Sequence, residues 1–257
     1  MNIERGFKFV FQEKNWLGKI VVGGLMILFS FLIIPLLIYY GFLVEVTRRT
    51  IKDETQLLPD WDNIGHKIAL GFKLAVIIIV YLLPFAILIA LSVPFSDFEF
   101  DHMRTREIVL LIPMLISNFL FRGEMSGISL LFFLSALVYI ILFVLILPFI
   151  VSKFAENESI NDAFAISDIL SMFRENLGDA ILVFLLVVFL QILASLGIVL
   201  CFVGVLLTGF WASVVQYYLY GELYKKKFEG KNDHTNLKIN LEGKCKKLKR
   251  KNLVSLN

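Results

Sequence analysis

The chain has 257 residues, 58% of them apolar and only 18% charged, and its mean hydropathy is +0.79. A soluble domain carries about a quarter charged residues, so this composition argues against a water-soluble fold. The net charge of +3 is split: the stretch from Lys225 onward holds 11 basic and 3 acidic residues, and the remainder 14 basic and 19 acidic. A basic tail on an acidic, apolar body points to anionic lipid or RNA as a partner.

Charges are absent from Ile20–Val44, Leu74–Ser96, Ile108–Phe121, Met125–Ser152 and Ala180–Gly221. A spanning helix needs about 20 apolar residues. The first, second and fourth stretches suffice for one helix each and the last for two, while the third is too short for a full crossing. Cys201 and Cys245 form neither a metal cluster nor a disulfide framework and read as unpaired thiols. Arg5, Lys8, Lys14 and Lys19 precede an apolar run too long for a signal peptide, so the first segment is expected to stay in the mature protein.

In chain order, Ile3, Phe7, Val10 and Phe11 share one helical face, which predicts a short amphipathic helix on the membrane surface, with Trp16 at the interface. Segment one covers residues 17–44 and contains Gly23, Gly24 and Pro35. Two readings stay open: one long tilted helix, or a re-entrant pair turning near Ser30. Leu58-Pro59-Asp60-Trp61 then reads as a turn back into the membrane with Trp61 as interfacial anchor, in preference to a partner-binding loop. Segment two is 68–94, with Lys73 placed to snorkel to the headgroups. Residues 108–121, interrupted by Pro113, are expected to form a half-membrane segment or surface hairpin, and segment three is 127–151.

Ser159-Ile160-Asn161-Asp162 resembles a capping box, and the apolar spacing of Ala163, Ile166, Ile169, Leu170, Phe173 and Leu177 predicts one amphipathic helix over 160–177, with Gly178 as C-cap. Segments four and five, 179–200 and 204–224, form a hairpin turning near Phe202. Residues 1–224 thus constitute the membrane domain, and 225–257 a basic cytoplasmic tail expected to be disordered. A weak internal repeat links Tyr39-Tyr40-Gly41 before Arg48-Arg49 with Tyr218-Leu219-Tyr220-Gly221 before Lys225-Lys226.

The positive-inside rule places the C-terminus in the cytoplasm. Tracing back puts 152–179 inside, 96–124 outside and 45–67 inside. The N-terminus lies outside if segment one spans and inside if it is re-entrant. Were 108–121 also to span, the N-terminus would return inside, but Arg48, Arg49 and Lys52 would move out.

Ile34-Pro35, Gly41, Arg48, Leu58-Pro59-Asp60-Trp61, Gly71, Leu147-Pro148, Phe154-Ala155, Asp162-Ala163-Phe164, Gly221 and Tyr224 together resemble an uncharacterised, mostly archaeal family of multi-pass membrane proteins, domain of unknown function 4013. The similarity covers most of residues 1–225; residues 96–126 and the long tail depart from it. It implies a membrane location and no activity.

The segment centres hold no ionisable group, where catalysis or ion coupling within a membrane would need one. His66, His102 and His234 fall in loops or the tail and read as surface histidines. Gln191, Ala194 and Ser195 on segment four, and Gly204, Thr208, Ala212 and Gln216 at four-residue spacing on segment five, read as facing stripes of helix packing. In the tail, Lys225, Lys226, Lys227, Lys246, Lys247, Lys249, Arg250 and Lys251 are assigned to headgroup contact. RNA or ribosome contact is disfavoured, because no aromatic follows Phe228 to stack a base.

The expected fold is all-α: a polytopic membrane bundle of about five hydrophobic helices plus interfacial amphipathic helices. The expected function is non-enzymatic, organising lipids or partner proteins in the cell membrane, with no catalytic, metal or cofactor site. The alternative is a transporter or channel for an uncharged or apolar solute, motivated by helices broken at Pro35, Pro84 and Pro113 and by the repeat.

Overall fold

A computed structural model describes residues 3–92, 127–197 and 204–225. The expected half-membrane segment 108–121 and the tail beyond Lys225 lie outside these residues. Among the described residues there are nine helices and no strand. They are α1 Ile3–Gln12, α2 Trp16–Leu28, α3 Ile33–Ile51, α4 Ile64–Ser92, α5 Gly127–Asn157, α6 Ile160–Ala163, α7 Ile166–Glu175, α8 Leu177–Ser195 and α9, residues 204–225. α4, α5 and α8 are long and apolar enough to cross a membrane, and α2 is a shorter apolar helix.

The first apolar segment is two helices, broken at 29–32. Pro35 explains the place of the break. It has no N–H to give to residue 31, and its ring crowds that carbonyl, so a helix start just before it is favoured over continuation through it. At the third position of α3 the missing donor costs no intrahelical bond. Phe29 N–H donates to Leu25 O (2.9 Å) and Ser30 N–H to Ile27 O (3.1 Å), so the turn closes the end of α2. Pro84 and Pro148, by contrast, sit inside continuous helices. The expected break at Pro84 is therefore absent. α3 also runs on past the apolar stretch to Ile51, with Arg48 and Arg49 in its last turn, where cations meet the negative end of the helix dipole.

Residues 160–177 are not one helix. Tyr81 Oη donates to Ala163 O at 2.8 Å and its ring stacks on Phe164, so a side chain of α4 takes the carbonyl that a continuous helix would have used. The chain turns at Phe164–Ala165 and restarts as α7. Ser159 makes no side-chain cap; Asn157 Nδ2 instead donates to Asp162 Oδ2 at 2.7 Å. The cap after α7 is Asn176, whose backbone N–H bonds Met172 O and Phe173 O, and Gly178 belongs to α8. The apolar face of α7, Ile169, Met172 and Phe173, is buried, with Phe173 edge-on to Phe149 of α5.

α3 and α9 run parallel through the centre. Tyr39 and Phe42 lie against Phe210, Thr47 Oγ1 donates to Tyr217 O (2.9 Å), and Gly221 packs on Thr47 and Thr50. The two Tyr/Gly segments of the weak repeat therefore lie on neighbouring helices but out of register, Tyr39 level with Phe210 and Gly221 level with Thr47 and Thr50. α5 runs parallel to both, with Ser152 Oγ on Tyr220 O (2.9 Å) and Tyr224 Oη on Glu156 Oε2 (2.6 Å). α1 does not lie free on the membrane surface. Its inward face is Gly6, Phe9 and Val10, and Phe9 stacks on Tyr218 with centroids 5.0 Å apart.

α3 and α4 cross at two glycines. The Gly41 Cα faces the carbonyl of Lys67, and Gly71 faces the carbonyl of Leu37. A Cβ at either position would overlap the opposing oxygen, so only glycine lets the two backbones meet here. Gly41→Ala is expected to lose more stability than the ~1–3 kcal/mol of ordinary overpacking, seen as a large drop in melting temperature of the purified protein in detergent. Gly65→Ala, where a Cβ would meet nothing within 4 Å, should be neutral or stabilise by up to about 1 kcal/mol.

Candidate functional site: an ionic and aromatic knot beneath the 52–63 loop

The α3–α4 crossing brings ionisable residues into the interior. One turn beyond Gly41 stands Glu45, and Lys67 is the α4 residue against which Gly41 packs. Lys67 is 1% exposed; its Nζ lies 3.0 Å from Glu45 Oε2, donates to Asp62 O at 2.8 Å, and is 3.5 Å from Asp62 Oδ1. Glu45 Oε2 is fully buried and outside hydrogen-bond geometry, so its contact with Lys67 is ionic. Its other oxygen, Oε1, accepts from Arg49 Nη2 at 2.8 Å, and Arg49 Nε lies 3.6 Å from Glu54.

The loop after α3 folds down onto this cluster. Leu57, Leu58 and Pro59 are buried. Lys19, 7% exposed at the start of α2, donates to Leu58 O (2.9 Å), pairs with Asp60 (2.9 Å) and lies 3.9 Å from Glu13. Trp61 stacks on Phe42 with centroids 4.3 Å apart, and its indole N–H donates to Lys19 O at 3.1 Å. Half-buried Trp61, expected as an interfacial anchor, thus also joins α2, α3 and α9. The reason is that Phe42 and Phe210 offer aromatic faces, and such pairs add about 0.5–1.5 kcal/mol beyond area burial.

A second hub is Glu158, in the turn after α5, with left-handed backbone (φ 56°). It ion-pairs with Arg48, lies 3.5 Å from His66 Nε2, and its carbonyl accepts from Lys73 Nζ at 3.0 Å. Lys73 therefore binds protein in place of the expected snorkelling, and His66 belongs to the first turn of α4. Lys153 lies 3.6 Å from Asp168 of α7.

Of the expected packing stripe, Gln191 Nε2 donates to Gln216 Oε1 (3.3 Å), Gln216 Nε2 donates to Tyr220 Oη (2.6 Å), and Thr208 Oγ1 donates to Ala194 O (2.9 Å). Ala212 and Gly204 are buried. Ser195 stands outside the contact, exposed and bonded to Ile192 O of its own helix. Among the expected headgroup lysines, Lys225 pairs with Asp53; the others lie outside the described residues.

Sequence reading missed Lys19, Glu45 and Lys67 as interior groups, and half-buried Glu158 as a hub. The first three stand at the edge of an apolar run, where a charge normally meets water. The available signal was glycine: Gly41 and Gly71 each sit one turn from an ionisable residue. Among the described residues no group of three His, Cys, Asp or Glu side chains could hold a metal ion.

These features define a helical membrane bundle whose polar end is closed by buried ion pairs. The chain belongs to the family described as "Protein of unknown function (DUF4013)", which matches residues 24–208. No curated protein and no solved structure matches it. The matched range contains both crossing glycines, Glu45, Lys67 and the 57–61 turn.

Lys19, by hydrogen bond and charge, holds the Asp60 carboxyl below its ordinary value of 3.8. A depressed carboxylate contributes stability above the unfolded pKa, and that contribution is lost as pH falls through the folded one. Asp60→Asn should therefore melt below the native protein at neutral pH, with the gap closing below about pH 4. Ala212→Leu is expected to destabilise by about 1–3 kcal/mol; an unchanged melting temperature would contradict the α8–α9 packing.

Proposed function

We propose that the protein is a non-enzymatic organiser of lipids or partner proteins in the cell membrane, with its C-terminus in the cytoplasm. The observation that carries this reading is the contrast between its two halves. The apolar windows of α4, α5 and α8 are only 11%, 17% and 22% buried. Ile79, Leu131 and Leu185, one on each helix, are at least 60% exposed. Such a surface is solvated by acyl chains or covered by other membrane helices. The opposite end is knit together by ion pairs and tyrosine hydrogen bonds and offers a rigid base for that surface.

The sequence of the tail supports anionic headgroups as one class of ligand, since basic residues near a charged leaflet contribute roughly 1 kcal/mol each. A protein partner within the membrane fits the same apolar faces.

The alternative, a transporter or channel for an uncharged or apolar solute, draws support from the interrupted α2–α3 hairpin. Against it, the described polar groups on the apolar helices are spent on structure: Ser129 Oγ donates to Ser92 O (2.7 Å), Tyr139 Oη to Tyr81 O (2.6 Å) and Thr208 to Ala194 O.

Native mass spectrometry of the protein extracted in native lipid discs tests the proposal. Retained anionic lipid or a stoichiometric protein partner is the expected result. A bare monomer with no preference for anionic over zwitterionic lipid would contradict it, and a bound small solute would move the weight to transport.

A further inference from the structure

We infer that both chain ends lie on the cytoplasmic side of the membrane, with α2 and α3 forming a hairpin that enters and leaves from that side. The sense of the assignment rests on the cytoplasmic C-terminus proposed above; the pairing of the two ends rests on geometry alone.

Three contacts fix the relative directions. First, α2 and α3 are antiparallel: four residues join Leu28 to Ile33, while Lys19, at the other end of α2, meets Phe42 through Trp61. Second, α3 is parallel to α9, from Phe42 on Phe210 to Gly221 on Thr47 and Thr50. Third, α1 lies against α9 from Trp211 to Tyr218. It packs across that stretch: Gly6 and Phe9 meet Tyr218, while Phe7 and Phe11 both lie near Trp211. α1 therefore sits beside the stretch of α9 that leads to its C-terminal end.

Charge follows the same division. Of 25 Lys and Arg residues, only Arg104, Arg106 and Arg122 fall in 93–126, the segment that joins the other ends of α4 and α5. Residues 29–32 and 198–203, which join helices at that opposite end, contain no charge. Among the described residues, all the rest belong to elements grouped where α3, α5 and α9 finish and α4 begins, and the basic tail follows α9 in the chain. Lysine and arginine, and not net charge, decide orientation, so Arg5, Lys8, Lys14 and Lys19 act with the tail and not against it. The buried Lys19 has a structural reason to stay there, since Asp60 and the Leu58 carbonyl hold it.

The test uses the full chain in intact cells, with Cys201 replaced by Ser and native Cys245 retained as the C-terminal probe. A second protein carries both cysteines replaced and Lys14→Cys, an exposed position. An impermeant maleimide should label neither protein until the membrane is permeabilised, and both afterwards, while a Glu99→Cys control labels in intact cells. An N-terminal epitope tag, read by antibody before and after permeabilisation, gives an independent readout should the Lys14→Cys protein fold poorly. Labelling of the Lys14→Cys protein, or antibody access to the tag, in intact cells while Cys245 stays protected would overturn the pairing of the ends. Labelling of both ends in intact cells would leave the pairing standing and overturn the cytoplasmic assignment, and with it the orientation on which it rests.

Discussion

The close approach of α3 and α4 at Gly41 and Gly71 is the constraint on which the rest of the polar end depends. Without side chains at these two positions, each backbone can rest on a carbonyl of the other helix. The spacing then brings Glu45 and Lys67 together, with Arg49 and Asp62 as their further partners. Each is one turn or less from the crossing, and each finds the other before it finds water. The order of causes runs from two missing Cβ atoms to a close crossing, and from that crossing to a buried ion pair. Because the pair is desolvated, its presence is weak evidence of net stability, but the loss of one partner would leave the other buried with only its remaining contact, Arg49 for Glu45 or Asp62 for Lys67.

The second consequence of the crossing is a floor for the 52–63 loop. Arg49 and Lys67 hold its flanks, and Lys19 with Trp61 holds its centre. α9 forms the wall behind it. The C-terminal half of α9 is buried nearly all round and receives hydroxyl groups from Thr47 of α3 and Ser152 of α5 on its carbonyls. A helix that is apolar on every side and buried at one end suits a bundle axis. Around that axis the long helices α4, α5 and α8 present aliphatic side chains outward, as a membrane-facing surface requires.

The helical fold was legible because apolar runs of about 20 residues have few other outcomes. The break in the first segment was legible as one of two readings, since Pro35 favours a helix start over a continuation without forbidding the latter. Three features were hidden. Charged residues at the edge of an apolar run look solvated whether or not a neighbouring loop covers them, so Lys19, Glu45 and Lys67 passed as boundary residues. A tryptophan near a boundary likewise looks interfacial, although Trp61 packs on Phe42. The amphipathic period over 160–177 was real, and it marks a face against α5; nothing local to those residues announces that Tyr81, some eighty positions earlier, takes the Ala163 carbonyl and divides the helix. Of the packing stripe on α8 and α9, Gln191, Thr208, Ala212 and Gln216 lie where four-residue spacing put them. Ser195 does not, because it points away from α9.

A double-mutant cycle on Glu45 and Lys67, read as unfolding free energy in one detergent, tests the central dependence most directly. The account predicts that Lys67→Met and Glu45→Gln each destabilise, by less than the about 3–5 kcal/mol of a wholly stranded buried charge, because Arg49 and Asp62 stay in place. It also predicts that the double variant recovers a substantial part, with a coupling of about 0.5–3 kcal/mol. Additive losses, or single variants that melt with the native protein, would show that the α3–α4 crossing does not force these two residues together.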